Sequence, residues 1–516
     1  MKKYLFILLG LTFNTIQSQE VVSGLRYAQD NTTGTARFRA MSGAFGALGG
    51  DLSSINVNPA GSAVFLNNQL GFSFSNFDIK NNSEYYGSQL TGKKNALDLN
   101  QAGGVFVFKN YDPKANWKKF SLAINYENTN NFNNTTRTFG TNPTNSVANY
   151  FLSYANANPA RNQEEIPLGT LKEYNYFELN YAKQQAYLGY RGYLINPISD
   201  TDDNVEYISN APVGTSPNTN NYYQENTIIS EGYNGKLSFN AATSYKDRLY
   251  LGLSLNSHFT DFRQNTLFYE DNDNPNNNVV DLVSTSFEND IYTYGSGFSF
   301  QLGAIAKLNN EFRLGLSYQS PTWNKLNDEL RQSVYSNVYN YENTTDPDLT
   351  TTPNVSDGTV VYNDYKLKTP GKITGSMALV FNKKGLISFD YSYKDYSKIN
   401  YSIEDDSRNR FINSDIANEL TAASEIRIGG EYKIERLSLR GGYRFEGSPY
   451  KNKSTMGDLT GYSAGLGYNF GGTKADLSYA YAKRNSNQGF FSQGFTDGAN
   501  INSINNTVTF TLLFEL

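Results

Sequence analysis

The chain has 516 residues, a formal net charge of −5, no Cys, one His, and many Tyr, Phe and Gly residues (40, 33 and 43). The mildly acidic balance excludes the basic face that nucleic-acid binding needs, so we expect no nucleic-acid partner. The lack of Cys excludes disulfides, thiolate metal sites and a lipid-bearing cysteine, and one His excludes multi-histidine metal centres. Abundant aromatic residues and glycine favour a β-rich protein.

The N-terminus has the pattern of an export signal. Lys2 and Lys3 form a positive region, the apolar run YLFILLGLTF follows, and IQS precedes Gln19 as a cleavage site. A helix needs about 20 apolar residues to span a bilayer, so this run is too short, and no run of that length follows it. We therefore predict that residues 1–18 are a removed signal peptide. A membrane-embedded mature chain would then be a closed β-barrel.

Apolar residues alternate with small or polar ones along most of the chain after Val64. In the stretch LYLGLSLN (249–256), every second residue is Leu, and the residues between are Tyr, Gly, Ser and Asn. A period of two is typical of strands with one apolar face. Strands of soluble β-sandwiches also have this period, so only the links between strands can distinguish a sandwich from a membrane barrel.

Short and long links alternate strictly along the sequence. The long links are polar and lie at 79–100, 129–225, 263–290, 321–360, 403–420, 446–458 and 486–503. Outer-membrane barrels have this asymmetry, with short periplasmic turns, long extracellular loops and an even number of strands. The links here separate 14 strand-like segments. We predict an all-β fold, a 14-stranded antiparallel transmembrane β-barrel over residues 64–516, in the outer membrane of a Gram-negative cell.

The C-terminus indicates the same fold independently. The stretch TVTFTLLFEL places Val508, Phe510, Leu512, Phe514 and Leu516 on one face of a last strand. This pattern resembles the signal by which barrels are recognised for insertion into the outer membrane. We expect the barrel-assembly machinery and the outer-membrane lipids to be partners, and we expect a monomer. If this were an ordinary edge strand, another part of the protein would have to shield its five large apolar side chains from water.

The largest link, 129–225, is too long to be structureless. Its stretch EEIPLGTLKEYNYFELNYAKQQAYLGYRGYL (164–194) carries Leu, Tyr, Phe and Ala at roughly helical spacing. We predict one or two short helices packed over the mouth of the barrel. Their apolar surface would either receive a hydrophobic ligand or simply pack a large loop.

Glycine is concentrated in GAFGALGGDLSSINVNPAGSAVF (43–65), directly before the first strand-like segment. A phosphate-binding loop would need Gly-Lys-Ser/Thr or Gly-x-Gly-x-x-Gly, and neither pattern is present. The longer stretch ARFRAMSGAFGALGGDLSSINVNPAGSAVF (36–65) resembles the N-terminal segment of the FadL family of outer-membrane transporters for long-chain fatty acids and other hydrophobic compounds. The shared features are Ala-Arg at 36–37, small-Gly-Ala-Phe at 42–45, the spacing of Asp51, Ser53 and Ile55, and Asn58-Pro59-Ala60-Gly61. The resemblance is specific over 27–70, and elsewhere it is mainly architectural.

This resemblance implies that residues 19–63 form a hatch, a plug that fills the lumen from the periplasmic side. A fatty-acid-like ligand would enter at the outer mouth, bind against the hatch and leave sideways through the wall, without ATP, metal or cofactor. Glycine suits a plug because it permits sharp turns and close approach to the wall. The residues expected to gate the route are Gly43, Phe45, Gly46, Gly49, Gly50, Asp51, Asn58, Pro59, Ala60 and Gly61.

Several charged residues fall on the inward face if the apolar faces point outward. They are Arg313, Arg427, Arg440 and Arg444, with Asp390, Glu425, Glu431 and Asp476. The arginines are candidates for binding a ligand carboxylate by paired hydrogen bonds. The alternative is a ladder of salt bridges that fills the lumen.

Enzyme function has little support in the sequence. A serine–histidine pair would have to use His258, the one histidine of the chain. One histidine also argues against haem binding. We expect a transporter rather than an enzyme. Two other hypotheses remain open, a porin for polar solutes, which would have an open lumen, and a surface adhesin or structural barrel.

Overall fold

The fold is given by a computed structural model of the chain. It describes residues 21–157, 163–216, 219–275, 279–340, 348–351, 355, 358–381, 384–404 and 406–516. The predicted signal peptide, residues 1–18, lies outside these ranges.

Helices are few and short. The α-helices are α1 (Val21–Ala28), α2 (Ala36–Ala40), α3 (Ala148–Ala155), α4 (Leu168–Glu173), α5 (Tyr181–Arg191) and α6 (Asp406–Glu419). Further 3-10 helices span Leu52–Asn56, Pro59–Val64, Tyr176–Glu178 and Tyr396–Lys398. Among the described residues, no helix is long and apolar enough to cross a membrane.

Strands dominate the rest of the chain. They are β1 (Gln69–Tyr85), β2 (Ser88–Lys109), β3 (Trp117–Asn131), β4 (Asn134–Asn142), β5 (Ile195–Pro197), β6 (Tyr207–Ser209), β7 (Tyr222–Tyr245), β8 (Leu249–Asn272), β9 (Val280–Lys307), β10 (Phe312–Gln319), β11 (Trp323–Asn340), β12 (Asp348–Thr351), β13 (Thr359–Val361), β14 (Tyr365–Lys368), β15 (Lys372–Phe381), β16 (Gly385–Asp395), β17 (Asn400–Ser402), β18 (Ala422–Ile434), β19 (Leu437–Glu446), β20 (Met456–Asn469), β21 (Thr473–Gly489) and β22 (Gly498–Glu515). All except β5 and β6 belong to one sheet.

This sheet closes into a 14-stranded antiparallel barrel, which confirms the predicted fold. The wall runs β1, β2, β3, β7, β8, β9, β10, β15, β16, β18, β19, β20, β21, β22, and β22 returns to pair with β1. The closing pair matches Leu70 with Phe514. β4 continues the line of β3 along β7, and β11 continues that of β10 along β9 after Pro321. A proline interrupts such a line because it lacks a backbone N–H.

The two ends of the barrel differ as predicted, but the strands are longer than predicted. At one end the wall strands join through short turns, such as 246–248 and 435–436. At the other end β1 continues to Tyr85 and β2 begins at Ser88, so the link predicted at 79–100 is almost entirely strand. Polar side chains occupy both faces of the strands there, so the apolar–polar alternation on which the prediction depended is lost. The backbone pairing between β1 and β2 nevertheless continues to Tyr85 and Ser88. The first strand also begins later than predicted, at Gln69 rather than residue 64.

Outward and inward faces follow the sequence pattern. Along β8, the outward Leu251, Leu253 and Leu255 are exposed, whereas Ser254 and Asn256 are buried in the lumen. The last strand shows the same order, because Val508, Phe510, Phe514 and Leu516 are exposed on its outer face and Thr507, Thr509 and Thr511 are buried. A belt of exposed apolar side chains around a polar interior is the surface that a bilayer requires.

A helical insertion covers the long-loop end of the lumen. We call residues 143–221, with α3–α5, β5 and β6, the cap. Its buried Phe151 and Leu188 pack in one apolar cluster with Phe268, Phe287 and Val334 of the extended strands. α4 and α5 both lie in the stretch predicted to be helical. The cap therefore packs over the mouth as expected.

Candidate functional site

The described part of the hatch, from residue 21, lies inside the barrel. Its apolar side chains Phe38, Met41, Phe45, Leu52 and Ile55 are almost completely buried. The 3-10 helix Pro59–Val64 contacts β7, β8 and β9, and α2 contacts β20, β21 and β22 on the opposite side. The hatch therefore crosses the lumen and fills it.

The Asn-Pro-Ala-Gly turn joins the hatch to the wall. The Asn58 Nδ2 donates to the Gly46 carbonyl oxygen (2.7 Å) and to that of Ala304 in β9 (3.0 Å). Its Oδ1 accepts from the Ala60 N–H at 3.1 Å and begins the 3-10 helix, which has Pro59 at its first position. Asparagine at a helix N-cap followed by proline is a strong start signal. The turn is therefore a buried corner, in which both the nitrogen and the oxygen of the Asn58 side chain are hydrogen-bonded.

Glycines of the wall make room for this corner. A Cβ on Gly252 of β8 would lie 2.3 Å from the Pro59 carbonyl carbon, and one on Gly303 of β9 would lie 2.0 Å from the Asn58 Oδ1. A Cβ on Gly315 of β10 would lie 2.2 Å from the Gly46 carbonyl oxygen. Three adjacent strands thus present bare backbone to the hatch. In the sequence, Gly252 is only one of the small residues between the leucines of 249–256, and nothing local marks its contact with the hatch.

The glycine-rich loop binds the side-chain carboxylate of Asp390, a residue of the barrel wall. Asp390 of β16 accepts from the N–H groups of Phe45 (3.0 Å) and Gly46 (3.0 Å). Gly43 and Gly49 have φ of +80° and +62°, a backbone conformation that other residues adopt at a cost. The loop can therefore turn two N–H groups towards one carboxylate.

Gly50, Asp51 and Gly61 complete the interior of the hatch. The Asp51 carboxylate caps the 3-10 helix Leu52–Asn56 by accepting from the Ser53 N–H at 2.9 Å, and it also accepts from the Thr35 hydroxyl at 2.8 Å. Burial raises the pKa of Asp51, and the nearby Arg37 opposes that rise. The Gly50 N–H donates to the Gly61 carbonyl at 3.1 Å, which ties the two 3-10 helices together.

A chain of alternating charges links the hatch to three wall strands. Arg37 of the hatch pairs with Glu431 (2.8 Å), Glu431 with Arg440 (2.6 Å), and Arg440 with Asp476 (2.5 Å). The Arg37 Nη1 also donates to the Gly50 carbonyl at 3.1 Å. All four side chains are buried or nearly so, which makes each charge dependent on its neighbour.

The four arginines named from the sequence all point inward, and each has a partner. Arg427 and Arg444 share Glu425, at 2.5 and 3.1 Å. Arg440 belongs to the chain just described, and the Arg313 Nη1 donates to the Leu48 carbonyl at 3.1 Å. In this structure they anchor wall and hatch.

A further ion pair holds the hatch segment that follows α1. Asp30 lies 3.3 Å from the Lys372 Nζ and 3.4 Å from the Lys394 Nζ, and Lys394 also donates to the Ala28 carbonyl. Burial alone raises the pKa of Asp30, but the ammonium groups of Lys394 and Lys372 outweigh it and hold that pKa below its ordinary range. The pair fixes the chain between α1 and α2.

We expect this ion pair to be insensitive to pH in the neutral range. A carboxylate with a lowered pKa stabilises the folded state above its unfolded pKa of about 4, and the contribution is lost only in stronger acid. The rate at which trypsin cuts the hatch arginines, divided by its rate on the denatured protein at the same pH, should therefore be equal at pH 8 and pH 5. Asp30→Asn should speed cutting by up to about fivefold at both, as for a partly exposed pair worth up to about 1 kcal/mol.

The control for this experiment is Asp364→Asn. Asp364 pairs with Lys325 at 2.9 Å on the exterior, so its loss should leave hatch cleavage unchanged. A steep rise in wild-type cleavage between pH 8 and pH 5 would show that another group holds the hatch.

The wall has a split between β2 and β3. These strands pair from Lys109↔Lys119 to Gln101↔Glu127. Beyond that point, within the described residues, β2 pairs with β1 alone and β3 with β7 alone. We call the gap between residues 94–100 and 128–131 the split. Among the described residues that border the split, side chains bridge it. Asn128 donates to Asp98, and Lys94 pairs with Glu231 at 2.8 Å.

The hatch closes the split from inside. The Asn31 N–H donates to the Thr129 carbonyl (3.2 Å), and the Asn31 Nδ2 donates to the Asn130 Oδ1 (2.6 Å). On the other edge, the Gly34 N–H donates to the Asn100 Oδ1 at 3.2 Å. Outside, Leu97 is 76% exposed, so a large apolar side chain stands at the outer edge of the split. No local motif marks these residues, since the pattern exists only across strands.

His258 does not form a hydrolase triad. Its Nε2 lies 2.8 Å from the Ser299 Oγ, and the Asn256 Nδ2 donates to the same oxygen at 3.2 Å. Ser299 is fully buried, and among the described residues no carboxylate is hydrogen-bonded to the His258 ring. A triad needs an accessible nucleophile and a carboxylate that orients the histidine.

A closed antiparallel barrel with a plug bonded to its inner wall defines the class of outer-membrane channels with an internal hatch. Residues 212–511, more than half of the chain, match the sequence model of the family described as outer membrane protein transport protein (OMPP1/FadL/TodX). The chain belongs to this family.

Solved structures show the same fold. A FadL homologue of Pseudomonas aeruginosa is 12% identical, with a TM-score of 0.52 over 94% of this chain and 99% of that one. The Pseudomonas putida toluene transporter TodX is also 12% identical, with a TM-score of 0.50 and the same coverage of 94% and 99%. No significant match was found among curated proteins. At such low identity the likeness concerns the fold.

Proposed function

We propose that the protein is an outer-membrane channel for passive uptake of long-chain fatty acids or other hydrophobic small molecules, gated by its hatch. One observation carries this proposal. The hatch segment that fills the lumen also closes the split between β2 and β3 through Asn31 and Gly34. A movement of this segment would therefore connect the lumen with the membrane.

A sideways exit suits apolar cargo. Hydrophobic molecules are favoured in the bilayer interior by about 25 cal/mol per Å² of apolar surface, whereas polar solutes are not. A molecule that reaches the split would leave the lumen downhill, so no energy source is needed. The filled lumen favours this route over an open polar pore.

Gating needs only part of the hatch to move. The corner at Asn58, Pro59, Ala60 and Gly61 and the loop with Phe45, Gly46 and Asp51 are bonded at many points, as described above. The segment 29–35 is also anchored, through Asp30, Asn31 and Gly34, but it is the part of the hatch that lies at the split. We infer that it moves while the rest of the hatch remains in place as a support.

The ligand carboxylate role proposed for the wall arginines has unequal support. To reach Arg427, Arg440 or Arg444, a carboxylate would have to displace a protein carboxylate. Arg313 holds a carbonyl, and its buried Nε has no partner among the described residues, so it is the most available of the four.

The family and the apolar outer surface of the barrel support proposals about the lipids and proteins that surround it. We propose that the apolar belt contacts outer-membrane lipids, that the C-terminal strand is read by the barrel-assembly machinery, and that the barrel is monomeric. The short turns would face the periplasm and the cap the exterior. Residues 1–18 remain a predicted export signal.

A disulfide across the split tests the function. The natural chain has no Cys, so Asp98→Cys with Asn128→Cys introduces the one possible bridge, at two side chains in contact. Oxidation should abolish most uptake of a radiolabelled long-chain fatty acid or of toluene by cells that lack their own transporter. Reduction should restore it, because the split can open again.

The matched control is Thr374→Cys with Ser392→Cys, a hydrogen-bonded pair (2.8 Å) on adjacent strands β15 and β16. Its oxidation should leave uptake unchanged. Undiminished uptake by the oxidised split variant would exclude the sideways route. Swelling of wild-type proteoliposomes in sugars would instead support the polar porin.

A further inference from the structure

The short-turn end of the barrel is strongly basic along one arc of adjacent wall strands. Three turns lie there, and they join β2 to β3, β7 to β8, and β9 to β10. We call residues 109–119, 246–248 and 307–313 the basic rim. The basic rim holds eight Lys and Arg residues and three Asp and Glu residues, whereas the whole chain has a net charge of −5. Positive charge is therefore concentrated at one part of one end of an acidic protein.

Two pairs of cations in the basic rim face each other directly. Lys109 of β2 lies opposite Lys119 of β3, and Lys307 of β9 lies opposite Arg313 of β10. Like charges directly opposite each other on neighbouring strands destabilise a sheet. The rim thus carries a repulsion in the isolated chain that a bound anionic surface would relieve.

Neutral oxygens are the partners that the structure gives to these cations. The Lys119 Nζ donates to the Phe65 carbonyl at the end of the hatch (3.3 Å), and Lys307 donates to the Tyr250 hydroxyl. Among the described residues, no carboxylate forms a salt bridge with a cation of the basic rim. A carbonyl or a hydroxyl leaves the positive charge in place, so the charge remains available to a partner.

The other half of the same end has a different pattern. There Lys474 of β21 pairs with Glu515 of β22, and the Lys433 Nζ of β18 lies 3.8 Å from Glu431. These cations are compensated within the chain. The contrast indicates that unpaired charge belongs to the arc from β2 to β10 and not to the short-turn end as a whole.

The basic rim is open to solvent and lies below the split. Lys114, Lys246 and Arg248 are exposed in the turns. The strands that border the split, β2 and β3, reach the rim at Lys109 and Lys119. Because Lys119 contacts the hatch, it lies on the lumen side of the wall, where the lipids around the barrel do not reach. An occupant of the rim would therefore approach from the aqueous side.

We propose that the basic rim is a docking surface for a water-soluble periplasmic protein with an acidic face. At this position the partner would stand directly beneath the split. Complementary charge steers such an encounter and fixes its orientation. The proposal goes beyond uptake, and it rests on the proposed function only for the orientation of the barrel and for the exit at the split.

A labelled oligoglutamate peptide serves as the acidic probe. Fluorescence anisotropy with the protein in phosphatidylcholine nanodiscs at low ionic strength should show saturable binding that added salt weakens. A quadruple variant removes four exposed cations, through Lys109→Gln, Lys114→Gln, Lys246→Gln and Arg248→Gln. It should bind the peptide about 10- to 100-fold more weakly, as expected when four exposed ion pairs are lost. Heat-modified gel mobility shows that each barrel is folded.

Two double variants provide the matched comparison. Lys114→Gln with Arg248→Gln should lose part of the affinity, whereas Lys384→Gln with Arg436→Gln, exposed cations of two other short turns, should stay within about twofold of the wild type. Equal weakening by both pairs, or binding of a glycine–serine peptide of the same length as tightly as oligoglutamate, overturns the inference.

Lipid headgroups are the alternative occupant that the same experiment tests. If the wild type and the quadruple variant bind oligoglutamate equally once the nanodiscs contain phosphatidylglycerol, lipid occupies the basic rim and the inference is overturned. Uptake in cells is a separate measurement. Failure of the wild type to bind oligoglutamate, with uptake still blocked by the oxidised split variant, rejects the docking surface and leaves the proposed function standing.

Discussion

Deletion of residues 21–61 is expected to turn the protein into an ion-conducting pore without unfolding the barrel. The wall closes on itself through β1 and β22, so its backbone pairing does not depend on the hatch. Water would solvate the polar inner face once Asp390, Asn240 and Gln301 lose their hatch partners. The cap, which packs on β8, β9 and β11 and on Phe491 and Phe495 in the link between β21 and β22, remains in this variant.

Planar-bilayer recordings should show stable conductance for the deletion variant and none for the wild type. Deleting 112–115, an exposed short turn between β2 and β3, serves as the control and should conduct no better than the wild type. Equal conductance of wild type and hatch deletion would mean that residues 21–61 do not plug the lumen.

Gly252→Ala is expected to loosen the hatch with little effect on the barrel. The added methyl would lie 2.3 Å from the Pro59 carbonyl carbon, and neither backbone can yield without breaking bonds. Overpacking of this kind costs about 1–3 kcal/mol, so protease cleavage of the hatch should accelerate by roughly 5- to 100-fold. The measurement is limited trypsin digestion of the folded protein, with single-channel recording to detect brief openings.

Gly375→Ala is the matched control. Gly375 lies in the wall strand β15, and a Cβ there meets nothing within 4 Å. Its substitution should leave cleavage and conductance at the wild-type level. If both variants behave alike, the contact between the wall glycine and the corner at Asn58 and Pro59 does not hold the hatch.

The sequence was sufficient for the barrel because its signals are local. Alternation along LYLGLSLN, short turns such as 246–248 and the apolar face ending at Leu516 each depend on residues close in the chain. The hatch was predicted from the resemblance over 36–65. The wall partners of Arg37 and Asn58, which are Glu431 and Ala304, were not predictable, because they lie hundreds of residues away and such contacts leave no periodic pattern.

The same reason explains the residues that were missed. Asn31 and Gly34 are ordinary polar-loop residues until the split places them beside Thr129 and Asn100. Strand extensions beyond residue 79 were missed because a solvated strand needs no apolar face, only a neighbour for its backbone.

The closing pair of strands constrains the order of biogenesis. Leu70 pairs with Phe514, and the Ala36 N–H of the hatch donates to the Thr511 Oγ1 of the same last strand at 2.7 Å. The ring therefore cannot shut until β22 has been made, and the hatch bonds to that same strand. Contacts that span so much of the chain make folding slow. A barrel that closed without its hatch would leave the Thr511 hydroxyl without its Ala36 partner, so docking of the hatch and closure of the ring meet at one strand.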